Sequence, residues 1–262
     1  MISFRLFGIP VAVRPSFLVI AALLGLASRR LDLVIAWVGV LFVSILVHEL
    51  GHALTARAFG AAVGIELNGI GGLTSWSAAE EEFGPGRRAT VAAAGSAVGV
   101  LFGGLVWLTQ SLTGPFFGIA DFVVANLIGV NVFWGLFNWL PIRPLDGGHL
   151  LVSLLQKVSP ARADRIANVV FLITAVAALA VALWLQRIFI VVLAGWLVMG
   201  ELTRGRPIRP ATTIPPMSFD APDPGPDQAE PDRAGTDRDP EPPGTEHGGH
   251  EQVEPEPKPA DG

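Results

Sequence analysis

The stretch Leu41-Phe-Val-Ser-Ile-Leu-Val-His-Glu-Leu-Gly-His-Ala-Leu54 decides the fold class, because it places three ionisable side chains inside an apolar run. The surrounding run is long and apolar enough to predict a membrane-spanning helix. An ionisable side chain near the centre of a bilayer costs about 2.5–3.5 kcal/mol on insertion scales. His48, Glu49 and His52 therefore need a compensating partner, and a bound metal ion is the simplest one.

The composition agrees with a membrane protein and limits the kind of metal site. Of 262 residues, 51% are hydrophobic and only 16% are charged, which is typical of a chain with several membrane spans rather than of a soluble domain. The chain has no cysteine, so it forms no disulfide, and any zinc ion must be held by histidine and carboxylate ligands. The arrangement of charge predicts no nucleic-acid surface.

Apolar stretches along the chain predict an all-α polytopic membrane protein with about six transmembrane helices. The stretches lie at about residues 18–27, 31–59, 89–108, 122–140, 166–185 and 188–199. Most Arg and Lys residues near the span ends fall in loops on one side if the N-terminus lies inside the cell. We therefore expect a multi-pass protein of the cell membrane with both termini in the cytoplasm.

Two segments depart from this helical pattern. Residues 60–86, between the second and third spans, are rich in glycine and alternate apolar with polar residues, which predicts a small β or re-entrant element. Such a backbone is tolerated at membrane depth where it lines a wet cavity, and its edge can pair with an extended peptide. Residues 207–262 are rich in Pro, Gly and acidic residues, so we expect a disordered cytoplasmic tail after a membrane-embedded domain of residues 1–206.

The H-E-x-x-H spacing fits a catalytic metal site. Residues four apart share one face of a helix, so His48 and His52 can direct both imidazoles at one tetrahedral ion. In a hydrolytic site the intervening Glu49 can act as the base that accepts a proton from the attacking water.

A third protein ligand is expected, and Asp146 is the best candidate. It follows Pro141 and Pro144, which end the preceding span, and it precedes two glycines that allow a sharp turn near the metal. The alternative for Asp146 is an aspartate at a helix end that faces interfacial water. Two interpretations of His149 stay open: it is an interfacial residue, or it holds a metal ligand in place.

These motifs carry a family resemblance. The helix with His48-Glu-Leu-Gly-His52, followed at the end of a later span by Asn138-x-x-Pro141-x-x-Pro144-Leu-Asp-Gly147, resembles the site-2 protease family of intramembrane zinc metalloproteases. The opening segment, residues 7–16, is similar to the start of compact prokaryotic members. The segment Gly95-Ser-Ala-Val-Gly99 resembles a small-residue motif of the family, but it lacks the proline and the asparagine that the family often has there.

The resemblance implies a function for each motif residue. His48, His52 and Asp146 would bind one zinc ion, Glu49 would be the catalytic base, and Asn138 would contact the substrate backbone or the oxyanion. The reaction would be hydrolysis of peptide bonds in or near transmembrane segments of a single-span membrane protein. In regulated intramembrane proteolysis such a substrate is often first shortened by another protease, and the lipid bilayer is the other expected partner.

Other interpretations of the polar residues stay open. A zinc or proton-coupled transporter also places His, Glu and Asp within a membrane, and it predicts ion flux without proteolysis. A non-catalytic scaffold that binds membrane peptides would be expected to have lost Glu49 or a metal ligand, which this chain retains. Asn126 and Asn131, like the glycines at 95, 99 and 103, are interpreted as helix-packing residues.

Overall fold

The structure is a computed structural model that describes residues 1–69, 71–78 and 83–184, together with residues 186, 195, 198 and 199. Within this part, the helices are α1 (Pro15–Gly25), α2 (Leu31–Ala58), α3 (Pro85–Thr113), α4 (Ile119–Asn138), α5 (Asp146–Val158) and α6 (Ala163–Trp184). The strands are β1 (Ile2–Leu6), β2 (Ile9–Val13), β3 (Ala62–Asn68) and β4 (Gly71–Ser77). The predicted tail, residues 207–262, lies outside the described residues.

Four of the helices are long and apolar enough to cross a membrane: α2, α3, α4 and α6 with the short turn that precedes it. The 28 residues of α2 alone extend about 42 Å, which exceeds the roughly 30 Å thickness of the hydrocarbon layer. The prediction of six spans is not confirmed. The first predicted span corresponds to α1, which has only 11 residues, and the sixth lies almost wholly outside the described residues.

The strands form one four-stranded sheet in the order β1-β2-β3-β4. β1 and β2 make an antiparallel hairpin, β2 and β3 pair in parallel, and β3 and β4 pair antiparallel within the glycine-rich stretch. The parallel pair is possible because α1 and α2 form the crossover between β2 and β3. β1 and β2 were not predicted, although Ile2-Ser-Phe-Arg-Leu6 alternates apolar and polar residues as a strand does.

The sheet packs against α2 and holds the start of α1. A cluster of buried residues joins β2, β3, α1 and α2; its members are Ile9, Val11, Val13, Phe17, Leu46, Ala53, Ile65 and Leu67. Arg14, just before α1, makes a two-pronged ion pair with Glu66 on β3. The Gly69 amide donates a hydrogen bond to Ser16 Oγ at 3.2 Å. The sheet is therefore fixed to the half of α2 that carries the histidines.

Small residues bring α2 and α3 into close contact. A β-carbon on Gly51 would lie 2.8 Å from the Ala94 carbonyl oxygen and from Gly95 Cα, so no larger residue fits here without movement of a backbone. α3 also packs against α4 and α5. Two turns earlier on α2, the Asn131 amide of α4 donates a hydrogen bond to Ser44 Oγ at 2.8 Å. This buried contact between helices is the packing role that the sequence indicated for Asn131.

Candidate metal centre

The C-terminal half of α2 positions three of the predicted site residues. His48, Glu49 and His52 are each less than 9% exposed, since the sheet covers one side of this half-helix and α3 covers another. The Nε2 atoms of His48 and His52 are 3.1 Å apart, as expected for residues one helical turn apart whose rings point to the same place. The helix thus brings two potential metal ligands together without any contribution from a loop.

Asp146 lies next to the two histidine rings, although it belongs to a later helix. α4 ends at Asn138, and the proline-containing turn leads into α5, whose first residue is Asp146. A β-carbon on Gly147 would overlap the carbonyl oxygens of Trp139 and Leu140. Glycine is therefore required at position 147, because α5 approaches the turn too closely for a side chain. Asp146 Oδ2 lies 3.0 Å from His48 Nε2 and 3.2 Å from His52 Nε2.

The three ligand atoms fit a single zinc ion. Their mutual distances are 3.0, 3.1 and 3.2 Å. Tetrahedral zinc with bonds of about 2.0–2.1 Å requires ligand atoms about 3.3 Å apart, which is close to this triangle. His48, His52 and Asp146 are also a group that can hold a metal ion by the type and proximity of their donor atoms. The prediction that Asp146 joins the two histidines agrees with this geometry.

The hydrogen bonds around His52 also favour a cation. His52 Nδ1 lies 2.7 Å from the Val91 carbonyl oxygen, which can only accept, so Nδ1 carries the proton. A neutral His52 ring then has its free lone pair on Nε2, directed toward Asp146 and His48. Lone pairs that face a carboxylate at this distance repel each other unless a positive charge, from a proton or a metal ion, lies between them. The donor set therefore matches zinc in chemistry as well as in spacing.

The Asp146 carboxylate is held in its ionised form. Burial alone would raise its pKa, but where the histidines carry protons instead of sharing a metal ion, their hydrogen bonds and charges outweigh burial and lower the pKa of Asp146 below its ordinary value. Ser96, which is fully buried on α3, donates a hydrogen bond to Asp146 Oδ2 at 3.3 Å. A deprotonated carboxylate is the form that binds metal.

Glycine 95 makes room for the second histidine. A β-carbon at Gly95 would overlap the His52 imidazole, whereas at Gly99 the nearest atoms would lie at ordinary contact distance, 3.7 Å or more. The small-residue motif on α3 therefore does more than allow helices to approach. Gly95 admits the His52 ring and Ser96 contacts Asp146, two roles that the sequence analysis missed because it interpreted this motif as helix packing.

Glu49 projects from α2 toward the sheet. Its Oε2 accepts a hydrogen bond from Thr74 Oγ1 on β4 at 2.6 Å. Asn138, at the end of α4, is buried, and its Nδ2 lies 3.5 Å from His48 Nε2. His149 is exposed and lines the same cavity as Glu49, His52 and Asp146. The structure thus brings all the predicted site residues to one region, although the catalytic role of Glu49 and the oxyanion role of Asn138 stay predictions.

Two cavities are lined in part by these site residues. One, of about 140 Å³, reaches His48 and is lined mainly by apolar side chains of α1, α2 and α4. The other, of about 250 Å³, contains Glu49, His52 and Asp146 and is lined by β4, α3 and α5. The metal ligands therefore lie where an apolar space and a more polar space approach each other.

Comparison with known proteins supports the resemblance that the motifs indicated. Residues 109–181, which include Asn138 and Asp146, match the model of peptidase family M50. A putative zinc metalloprotease of Synechocystis sp. is 37% identical over 172 residues, covering 59% of this chain and 44% of the relative. A zinc metalloprotease of Methanocaldococcus jannaschii is 28% identical over 160 residues, covering 59% of this chain and 45% of the relative. The chain thus spans less than half the length of these relatives.

A solved structure has a similar fold. The site-2 protease from Methanocaldococcus jannaschii superposes with a TM-score of 0.54 at 22% sequence identity, covering 81% of this chain and 99% of that chain. At this identity the likeness concerns the fold alone. Together with the family match over residues 109–181 and the curated relatives, it confirms the resemblance: the chain is similar to peptidase family M50 and to zinc metalloproteases, and its fold is similar to that of a site-2 protease.

Proposed function

We propose that this protein is an intramembrane zinc endopeptidase that hydrolyses peptide bonds in or near transmembrane segments of membrane-bound substrates. The observation that carries the proposal is the triangle of His48 Nε2, His52 Nε2 and Asp146 Oδ2, with Glu49 buried on the same helix. The four helices that are long enough to cross a membrane support its location in the bilayer. Zinc metalloprotease relatives support the type of reaction.

In this proposal each side chain has one task. Zinc held by the two histidines and Asp146 would polarise the scissile carbonyl and lower the pKa of a water molecule to about 7. Glu49 accepts the proton of the attacking water and delivers it to the leaving amine. Asn138, whose amide lies beside His48, donates a hydrogen bond to the substrate backbone or to the oxyanion that develops on the carbonyl.

The sheet gives the substrate a surface to bind. β4 is an edge strand of the sheet, and it lies beside Glu49. A transmembrane helix hides its carbonyls in hydrogen bonds, so cleavage needs a locally extended segment. Such a segment can pair with the edge of β4 that no described strand occupies. We propose a single-span membrane protein, shortened beforehand by another protease, as the substrate.

The position in the membrane follows from the charge pattern. We propose a multi-pass arrangement in which both termini lie in the cytoplasm, because this places most of the Arg and Lys near span ends in cytoplasmic loops. The membrane-embedded domain would occupy residues 1–206, and residues 207–262 would form a cytoplasmic tail. Fusion of a reporter to either terminus, read for cytoplasmic activity, tests the arrangement.

The proposed activity is tested with Glu49→Gln in proteoliposomes that contain a single-span substrate. We expect the wild type to cleave the substrate, and we expect Glu49→Gln to bind zinc but to cleave at least about 100-fold more slowly. Asp121→Asn is the matched control, because it makes the same change from carboxylate to amide at an exposed position in the first turn of α4 and should cleave like the wild type. Cleavage by Glu49→Gln at the wild-type rate would exclude the proposed base, and zinc flux without cleavage would favour a transporter.

A further inference from the structure

The edge strand β4 contacts the side chain of Glu49 at two positions. Gly72 and Thr74 are two residues apart, so both face the same side of the strand. Thr74 Oγ1 lies 2.6 Å from Glu49 Oε2 and 3.1 Å from the Glu49 backbone oxygen. A β-carbon on Gly72 would overlap the Glu49 carboxylate. The carboxylate therefore lies against the backbone of β4 and beneath one hydroxyl.

The two contacts of Thr74 differ in strength. A hydroxyl has one proton to donate, and the distance to the carboxylate is within the 2.5–2.7 Å typical of a hydroxyl that donates to a charged oxygen. The distance to the backbone oxygen is longer and typical of an ordinary hydrogen bond. The carboxylate is thus the principal acceptor, and the bond fixes the orientation of a side chain that has three rotatable bonds.

We propose that Thr74 is a positioning residue for the catalytic base: its hydroxyl, with the space left by Gly72, holds the Glu49 carboxylate in the orientation that hydrolysis requires. This inference rests on the proposed function, in which Glu49 is the base. It adds that the strand expected to pair with the substrate also orients the base. The substrate and the base are then fixed relative to each other before cleavage.

The position of Thr74 in the sheet supports this role over a purely structural one. Its backbone pairs with Ile65 of β3, so the strand is held without the hydroxyl. The neighbouring Ser75 lies on the opposite face, where its hydroxyl contacts the Gly64 carbonyl within the sheet. Loss of the Thr74 hydroxyl should therefore leave the sheet intact and release the carboxylate.

The test compares Thr74→Val with Thr74→Ser in the substrate-containing proteoliposomes. We expect Thr74→Val, which has the shape of threonine but no hydroxyl, to lower kcat by about 10- to 100-fold with KM within about twofold of the wild type. Thr74→Ser should restore kcat to within about threefold, because it restores the donor. Zinc content should equal that of the wild type in both variants.

Two further variants exclude unspecific effects. Thr109→Val makes the same change on α3, where the hydroxyl contacts only the Leu105 carbonyl among the described residues, and should leave kcat unchanged. Gly72→Ala places a carbon in the space of the carboxylate and should lower kcat as Thr74→Val does, again with zinc retained. Wild-type kcat in Thr74→Val, or a loss that Thr74→Ser fails to restore, would overturn the proposal.

Thermal unfolding tests the contact without reference to activity. Thr74→Val should lower Tm in the wild-type background, but this decrease should be smaller in the Glu49→Ala background, where the carboxylate is gone and only the backbone oxygen of residue 49 is left as an acceptor. An equal decrease in both backgrounds would contradict the contact. Failure of the wild type to cleave any substrate would instead contradict the proposed function, so the two failures are distinguishable.

Discussion

The cavity beside His48 and the cavity beside Glu49 share one turn of α2, but different side chains line them. The first has walls that include Phe17, Ile20, Leu24 and Leu41. The walls of the second cavity include Glu49, His52 and Asp146 and also the polar residues Arg88, His149, Ser153 and Gln156. The proposed hydrolysis within a membrane needs an apolar substrate and a supply of water, and these two spaces would offer a separate surface for each. We infer that the metal ligands lie at the boundary because the reaction needs both.

Two glycines of α3 give the largest expected difference in zinc affinity between the side of the site with the more polar cavity and the side with the apolar cavity. Gly95→Ala places a carbon where the His52 ring lies, on the polar side, whereas Gly99→Ala adds a carbon at ordinary contact distance beside the apolar cavity. We expect Gly95→Ala to weaken zinc binding by at least about 100-fold and to abolish cleavage, with Gly99→Ala close to the wild type. Zinc titration of the two purified variants measures this. Equal affinity in both would show that His52 is not held where the structure places it.

Ser96 provides the next largest effect. Ser96→Ala removes the hydroxyl that contacts Asp146, and loss of such a group behind a metal ligand weakens metal affinity by about 10- to 100-fold. Ser111→Ala is the control on the same helix, because within the described part of the chain the Ser111 hydroxyl contacts only the Trp107 carbonyl. Competition with a zinc chelator gives both affinities. An unchanged affinity in Ser96→Ala would mean that Asp146 is oriented without this hydroxyl.

The smallest effect is expected on the apolar side. Asn131→Ala removes the hydrogen bond to Ser44 in the wall of the apolar cavity, and buried hydrogen bonds between membrane helices average about 0.6 kcal/mol. We expect a decrease of this size in the free energy of unfolding, with zinc content unchanged. Asn126→Ala should lower the free energy of unfolding by less, because the structure shows its amide in contact with the Phe122 carbonyl of its own helix rather than with another helix. Loss of zinc in Asn131→Ala would show that the apolar cavity and the metal site are not independent.

The sequence predicted the metal site better than the sheet, for physical reasons. Helical spacing fixes the relation of His48 to His52, and prolines near Asp146 mark where a span ends, so local rules were sufficient to name the three candidate ligands, although not to show that they meet. The parallel pairing of β2 with β3 depends instead on contacts between residues far apart in the chain, as does the Thr74 contact with Glu49. Hydropathy likewise predicted a first span, but α1 is short and its start is fixed to the sheet by Arg14 and Ser16.

The central claim is that side chains from α2 and α5 share one zinc ion. Zinc titration of the wild type, Asp146→Ala and Asp121→Ala tests it most directly, since Asp121 is an exposed aspartate in the first turn of α4 and makes a matched control. The wild type and Asp121→Ala should each bind one zinc ion per chain, and Asp146→Ala should bind zinc at least about 100-fold more weakly. Zinc binding by Asp146→Ala with wild-type affinity would contradict the claim.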